Sequence, residues 1–309
     1  MKKRKFFKFP VSSIIVLTFL FGCKNTNLNQ SVEEVIVAES ENVNTIIPDY
    51  VGDESLDQLV IKTRYIGDLF IDNGISLEKS GVINSQGNIR MVINTQDLNH
   101  RNLYKPIQGG GPHIWISKQP STTKKVTPWA TSNELILQMR AAVPHVKLED
   151  KDGKTGSSDF SADRAPVTQL SFGIYLHDEG SNKTFAYIIP VYESRGTYQE
   201  SANNHDTYTS FISSPLESNS QYITKYPKSE SLQSKPYAEK KFFKVSITRE
   251  NLLKGIKDSN IGLSQDLSKY RIAFLGVLFE LPNYVESGSN ISMVELSHFT
   301  AFTRYKMSM

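Results

Sequence analysis

Two glutamates in late apolar stretches, Glu280 in "RIAFLGVLFEL" and Glu295 in "ISMVELSHFTAF", are of a type that could perform acid–base chemistry. A carboxyl pair flanking a glycosidic bond can protonate the leaving oxygen and activate a water. Both groups would then have to leave one face of adjacent strands. No compact E-x-D-x-x-E run accompanies them, and the ordinary alternative is cross-strand charge pairing, with Arg140 or Arg304 as partner. The other chemical motifs fail on spacing. His100, His113, His145, His177, His205 and His298 are scattered without the spacing of metal ligands. "LEDKDGKTGSSDF" supplies hard oxygen donors in Glu149, Asp150, Asp152 and Asp159. Counted from Asp150, however, Thr155 stands where a calcium loop needs glycine and Ser161 where it needs glutamate. "QGGGPH" lacks the Lys-Ser/Thr of a phosphate loop, and neither a nucleophile elbow nor a zinc-protease motif occurs. No metal and no cofactor is expected, and binding is expected in preference to catalysis.

Binding is better provided for. Tyr192, Tyr198, Tyr208, Phe211, Tyr222, Tyr226 and Tyr237 cluster in sequence around Asn203, Asn204, His205 and Asp206, and Trp115 and Trp129 precede them. Flat rings offer apolar faces to the C–H faces of sugars, and planar polar groups match hydroxyls. Protein interfaces favour Tyr and Trp as well, for large contact area at low entropy cost. The candidate ligand-binding set is Trp129, Tyr192, Tyr198, Tyr208, Tyr222 and Tyr226, with Arg140 and His177. Trp129 follows Pro128 between polar residues, which predicts an exposed ring. Core or loop packing is the competing explanation for each of these rings.

The elements that must position these residues read as strands. In "NELILQMRAAV" Leu135, Leu137, Met139, Ala141 and Val143 alternate with polar residues, the period of a half-buried strand. "VTQLSFGIYLH" and "KTFAYIIPVY" form a hairpin across Asp178–Asn182, and a second strand pair turns near Gln86-Gly87-Asn88. Tyr270 to Leu281 is apolar on both faces, which predicts a central strand. Helical periodicity is confined to a turn or two at Asn251–Lys257, with a short capped helix expected at Ser55–Arg64. The pattern predicts an all-β fold: one large antiparallel β-sandwich of the jelly-roll kind, like lectins and carbohydrate-binding modules, over residues 60–309.

The amino terminus places the chain. Lys2, Lys3, Arg4, Lys5 and Lys8 precede the apolar run Val11–Phe21, which spans about 16 Å as a helix, too short for a ~30 Å bilayer core. A cleaved signal over residues 1–22 is expected. The run ends in Leu20-Phe21-Gly22-Cys23, holding the only cysteine. This resembles a bacterial lipobox, with Phe21 departing from the usual small residue. The Asn-, Ser-, Lys- and Ile-rich chain resembles spirochaete outer-surface lipoproteins of the Borrelia type. The resemblance implies cleavage before Cys23, acylation of its thiol and new amino group, and an outer-membrane location, lipid-anchored at the cell surface. Two or three acyl chains anchor stably where one does not.

Residues 24–59 set Lys24 against eight acidic residues and are expected to be a flexible acidic tether, with an amphipathic helix near Val32–Val37 as the alternative. Removing the five basic residues of 1–22 takes the formal net charge from +3 to −2. Taking off the tether's −7 leaves +5 on residues 60–309. That balance gives no footprint for nucleic acid. Expected partners are the membrane through the lipid, and either a glycan or a host extracellular protein. A jelly-roll glycosidase is a third alternative.

Overall fold

The computed structural model describes residues 32–39, 46–47, 56–64, 76–85, 87–100, 111–120, 123, 125–149, 167–196, 198–202, 210–281 and 290–306. The signal segment, Cys23, the calcium-like loop from Asp150 onward, Tyr208 and Asn203–Asp206 lie outside the described residues.

The described chain is two packed sheets of seven strands each. In the first, β11 (Thr224–Lys225), β12 (Tyr237–Thr248), β7 (Glu134–Leu148), β14 (Asn290–Lys306), β5 (Asn88–Asn94) and β4 (Gly81–Ser85) lie in that order, and β1 (Val32–Glu39) also pairs with β14. The second runs β10 (Ser210–Ser213), β9 (Lys183–Glu193), β8 (Gln169–Asp178), β13 (Tyr270–Glu280), β6 (His113–Gln119), β3 (Leu56–Arg64) and β2 (Ile46–Ile47). All pairings are antiparallel except β9 with β10 and β2 with β3. The predicted all-β sandwich is therefore the fold.

The alternation seen in sequence becomes the core. Leu135, Leu137, Met139, Ala141 and Val143 of β7 are fully buried, as are Leu170, Phe172, Ile174 and Leu176 of β8. These inner faces meet in one hydrophobic cluster. Phe172 and Phe299 approach across it at 6.3 Å between ring centroids. A hydroxyl pair, Thr168 Oγ1 and Ser292 Oγ at 2.5 Å, ties the sheets at one end. As expected, β13 occupies the middle of its sheet. It has a strand neighbour on each side, β8 and β6, and turns Leu275, Val277 and Phe279 into the core.

Helices are few: α1 (Thr95–His100), α2 (Pro128–Thr131) and α3 (Arg249–Ser259). Longest is α3, held by a reciprocal cap in which Thr248 accepts from Asn251 N while the Asn251 side chain accepts from Thr248 N. It stops at Asn260, whose φ of 50° is left-handed.

Two expectations fail on residues 24–64. Val32–Glu39 is a strand in the sandwich instead of tether or helix, and Leu56–Arg64 is a strand instead of a capped helix. The reason is an edge that needs partners. β5 covers β14 only over Ile291–Leu296, and β1 pairs with the remainder, from Thr300 to Lys306. Val35, Ile36 and Val37 are β-branched, suited to a pleated edge. A register shift between Ile36 and Ala38 lets Val37 and Ala38 both reach the core, where they are 7% and 5% exposed. Lys118 Nζ of the opposite sheet donates to Val37 O at 2.8 Å. In β3, Leu59 and Ile61 alternate into the same cluster.

Truncation separates tether from strand. Deleting residues 24–31 should leave the melting temperature nearly unchanged, whereas deleting 24–39 strips the edge of β14 and exposes core. Burying Val37 alone contributes about 1.5–3 kcal/mol, so the longer deletion should lower Tm by several degrees or more. Equal melting curves for the two truncations would show that β1 contributes nothing.

Candidate ligand-binding face

The outward face of the second sheet is fixed by the inward one. With Leu170, Phe172, Ile174 and Leu176 in the core, strand alternation turns Gln169, Ser171, Gly173, Tyr175 and His177 outward. The same reasoning places His113, Trp115 and Ser117 of β6 on this face, because Ile114 and Ile116 are core. On β13, Glu280, Leu278 and Gly276 are cross-strand partners of His113, Trp115 and Ser117 and share their side.

Three partly exposed rings gather here. Phe274 lies edge-on to Trp115 at 4.7 Å and to Tyr175 at 5.4 Å, and Trp115 is 6.1 Å from Tyr175. Glycines permit the arrangement. Gly173 and Gly276 are cross-strand partners, and a Cβ at Gly173 would stand 2.8 Å from the Trp115 ring, so that ring packs against bare backbone. His113 continues the cluster, edge-on to Trp115 at 5.9 Å.

One polar row closes this face at the end where β8 begins. Pairing is continuous across four strands: Glu193 of β9 opposes Gln169, Gln169 opposes Glu280, and Glu280 opposes His113. Glu193 is fully buried and binds Arg195 Nε at 2.7 Å through Oε1. Its Oε2 is buried with no hydrogen-bond partner among the described residues. Tyr198 enters from the following loop, where its hydroxyl accepts from Ser213 Oγ at 2.5 Å and lies within reach of Gln169.

Burial and the neighbouring Glu193 charge push the Glu280 carboxyl up to about 7. Burial also raises Glu193, opposed by the Arg195 guanidinium. Tyr198 is raised, first by burial and then by the two carboxylates, against its hydrogen bonds.

The residues singled out in the sequence are not brought together. Trp129, expected to be exposed, is fully buried, and its Nε1 donates to Ile247 O at 3.0 Å. In α2, Pro128 supplies the helix start and turns the ring under the sheets instead of out to solvent. Tyr192 is a core ring facing Tyr237 at 6.3 Å. Tyr222 is nearly buried and donates to Asp258 Oδ2 at 3.0 Å. Tyr226 lies between the Lys244 and Arg304 cations outside the first sheet, where Arg140 covers Phe242 at 5.7 Å. His177 is on the second sheet's outer face, bound to Thr184 Oγ1 at 2.9 Å, but at the opposite end of β8 from the polar row. Of the described candidates, Tyr198 alone joins the row.

Glu280 and Glu295 do not form a pair either. They lie in different sheets, and Glu295 instead binds Arg90 at 2.5 Å. Arg304 pairs with Glu34 of β1 at 2.8 Å. The second carboxyl beside Glu280 is Glu193, which sequence reasoning passed over. A signal existed in the position of Glu193, a charged residue closing the otherwise apolar strand "TFAYIIPVYE". Among the described residues, no group of three or more His, Cys, Asp or Glu is placed to hold a metal ion.

No protein-family model matches the chain, and no curated protein matches it. Among solved structures, the catalytic domain of Humicola grisea Cel12A, soaked with a thio cellotetraose, is similar over 72% of this chain and 95% of its own, at 8% identity and TM-score 0.33. A loop-swap mutant of Neocallimastix patriciarum Xyn11A is similar over 79% of this chain and 99% of its own, at 10% identity and TM-score 0.31. The family 11 xylanase from Neocallimastix patriciarum is similar over 80% and 100%, at 11% identity and TM-score 0.28. Likeness this remote says nothing of substrate or chemistry.

The raised Glu280 carboxyl has a stability consequence. The folded state holds this proton more tightly than the unfolded chain, so the favourable contribution is complete below about pH 4.5 and is lost as pH rises through about 7. Glu280→Gln, neutral at all pH, should flatten the stability profile over that window. By pH 8 it should exceed the parent by roughly 2–3 kcal/mol. Denaturant unfolding from pH 4 to 8 measures both curves, and parallel curves would disprove the raised carboxyl.

Proposed function

We propose that this chain is a lipid-anchored surface protein whose second sheet binds a glycan on its outer face. One observation carries the binding half: Trp115, Tyr175 and Phe274 are grouped and partly exposed on a single face, with polar side chains in register beside them. Aromatic rings with one solvent-facing side and fixed geometry suit the flat apolar faces of sugar rings. Glu280 and His113 continue the same face in register beside the rings. The ligand class is therefore a polysaccharide. A flat protein interface is less well supported, because among the described residues the exposed large hydrophobics Val35, Ile36 and Leu253 are few and lie on other elements.

The anchoring half rests on Leu20-Phe21-Gly22-Cys23 and the basic and apolar segments before it. Among the described residues, no helix is long and apolar enough to cross a membrane. Cys23→Ala should yield a precursor that no longer enters the detergent phase. Retention on membranes after alkaline washing would refute lipidation.

Binding is tested on residues 24–309 with a glycan array and calorimetry. Trp115→Ala and Phe274→Ala should each weaken binding about thirtyfold, about 2 kcal/mol, the usual loss for a ring at a recognition centre. Trp129→Ala should instead lower stability by about 3–5 kcal/mol. Unchanged affinity in both folded ring variants would rule out this face.

A further inference from the structure

The strand β1 sets how far the fold can stand from its anchor. Only residues 24–31 separate Cys23 from Val32, where β1 begins. From Cys23 to Val32 there are nine Cα steps, which reach at most about 32 Å at ~3.6 Å each. The sandwich is longer than that. β14 has 17 residues, and strands rise ~3.3 Å per residue, so it runs about 50 Å from end to end.

Register identifies the end of the sandwich that the anchor meets. Val32 pairs with Lys306, close to where Arg304 of β14 and Thr248 of β12 both oppose Glu134 of β7. The helix α2 lies at this end, and Ser132 Oγ beside it donates to Arg304 O at 2.5 Å. The β8–β9 hairpin comes to the same end. Ile272 N donates to Val126 O at 2.8 Å, and Lys125 binds Glu179 of the hairpin at 2.5 Å. The polar row is at the opposite end. Thr168, next to Gln169, meets Ser292 near the start of β14, and Asn290 N donates to Thr95 Oγ1 of α1 at 3.0 Å.

A connection of at most about 32 Å cannot run the ~50 Å length of the sandwich, so the polar row cannot turn down to the headgroups. β1 also belongs to the first sheet, so the anchor leaves from the layer behind the aromatic face.

We infer that the shortness of residues 24–31 holds the sandwich with its α2 end facing the lipid surface and its polar row outermost. Trp115, Tyr175 and Phe274 then stand between the two ends, on the side away from the attachment point. The row is about 50 Å above the α2 end, which suits a polymer arriving from solvent better than a glycolipid headgroup beside the anchor.

This inference rests on the anchoring proposed above, and the experiment separates the two. Cys23 is the only cysteine, so an introduced cysteine is a unique reporter once Cys23 is acylated. Thr131→Cys at the α2 end and Gln96→Cys in α1 both replace exposed side chains. The full lipidated chains, labelled with a maleimide donor dye, are added to preformed phosphatidylcholine–phosphatidylglycerol vesicles that carry a headgroup-linked energy acceptor. The Thr131→Cys label should lose most of its donor emission, and the Gln96→Cys label should keep most of it. Inserting a flexible Gly/Ser stretch of about twenty residues after Lys24 lets the chain reach past the sandwich, and should remove the difference. Equal losses at the two positions without the insertion, or a larger loss at Gln96→Cys, overturn the orientation. A difference that survives the insertion overturns tether length as its cause. Uptake of dye by the parent, or its failure to bind vesicles, overturns the anchoring and the orientation together.

Discussion

The first sheet is organised around β14, a strand of 17 residues with partners along both edges. Its backbone amides and carbonyls need partners along two edges. β7 supplies one edge from end to end, from Leu148 opposite Asn290 to Glu134 opposite Arg304. The other is shared between β5 and β1 in tandem. Where the partner changes, the strand kinks: the pairing with β7 shifts between Ser297 and Thr300, and His298 adopts a φ of 55°. The bulge re-aims the chain so that Phe299 enters the core against Phe172. With both edges of β14 occupied, the first sheet becomes a continuous lid for the second.

The ligand face depends on that lid, because it fixes which side of the second sheet looks outward. A slip of one residue between β8 and β13 would send Glu280 inward and Leu281 outward. The face also carries a cost typical of functional sites. A fully buried glutamate, a second raised carboxyl and unmatched polar atoms together destabilise the folded state, while the apolar face beneath them offsets the loss.

Period-two alternation makes β7 legible because it reports burial directly, the turn cluster Asp178–Asn182 marks the β8–β9 hairpin, and an unbroken apolar run marks β13. Short-range patterning could not reveal β1 and β3. An acidic, serine- and asparagine-rich composition dominated the expectation there, and the partner that recruits Val32–Glu39 lies some 270 positions away, as in the Glu34–Arg304 bond. The site was less legible still. Aromatic clustering between Tyr192 and Tyr237 is a property of sequence, but strands scatter its rings over two sheets and the core. The rings that do meet come from β6, β8 and β13, and only cross-strand register joins them. Polar neighbours made Trp129 look exposed, yet a short helix can be polar on its solvent side and bury one large ring beneath.

The chain has two tryptophans, and the fold gives them opposite surroundings. Trp129 is sealed from solvent with its indole N–H bonded to Ile247, a dry setting that shifts emission to the blue. Trp115 is partly exposed, with Phe274, Tyr175 and His113 around it. The protein therefore carries two native optical labels, one reporting on the interior and the other on the outer face. An aqueous quencher such as iodide or acrylamide reaches Trp115 first, and loss of the blue component marks opening of the core, so occupancy and unfolding can be followed separately in one cuvette without any added dye.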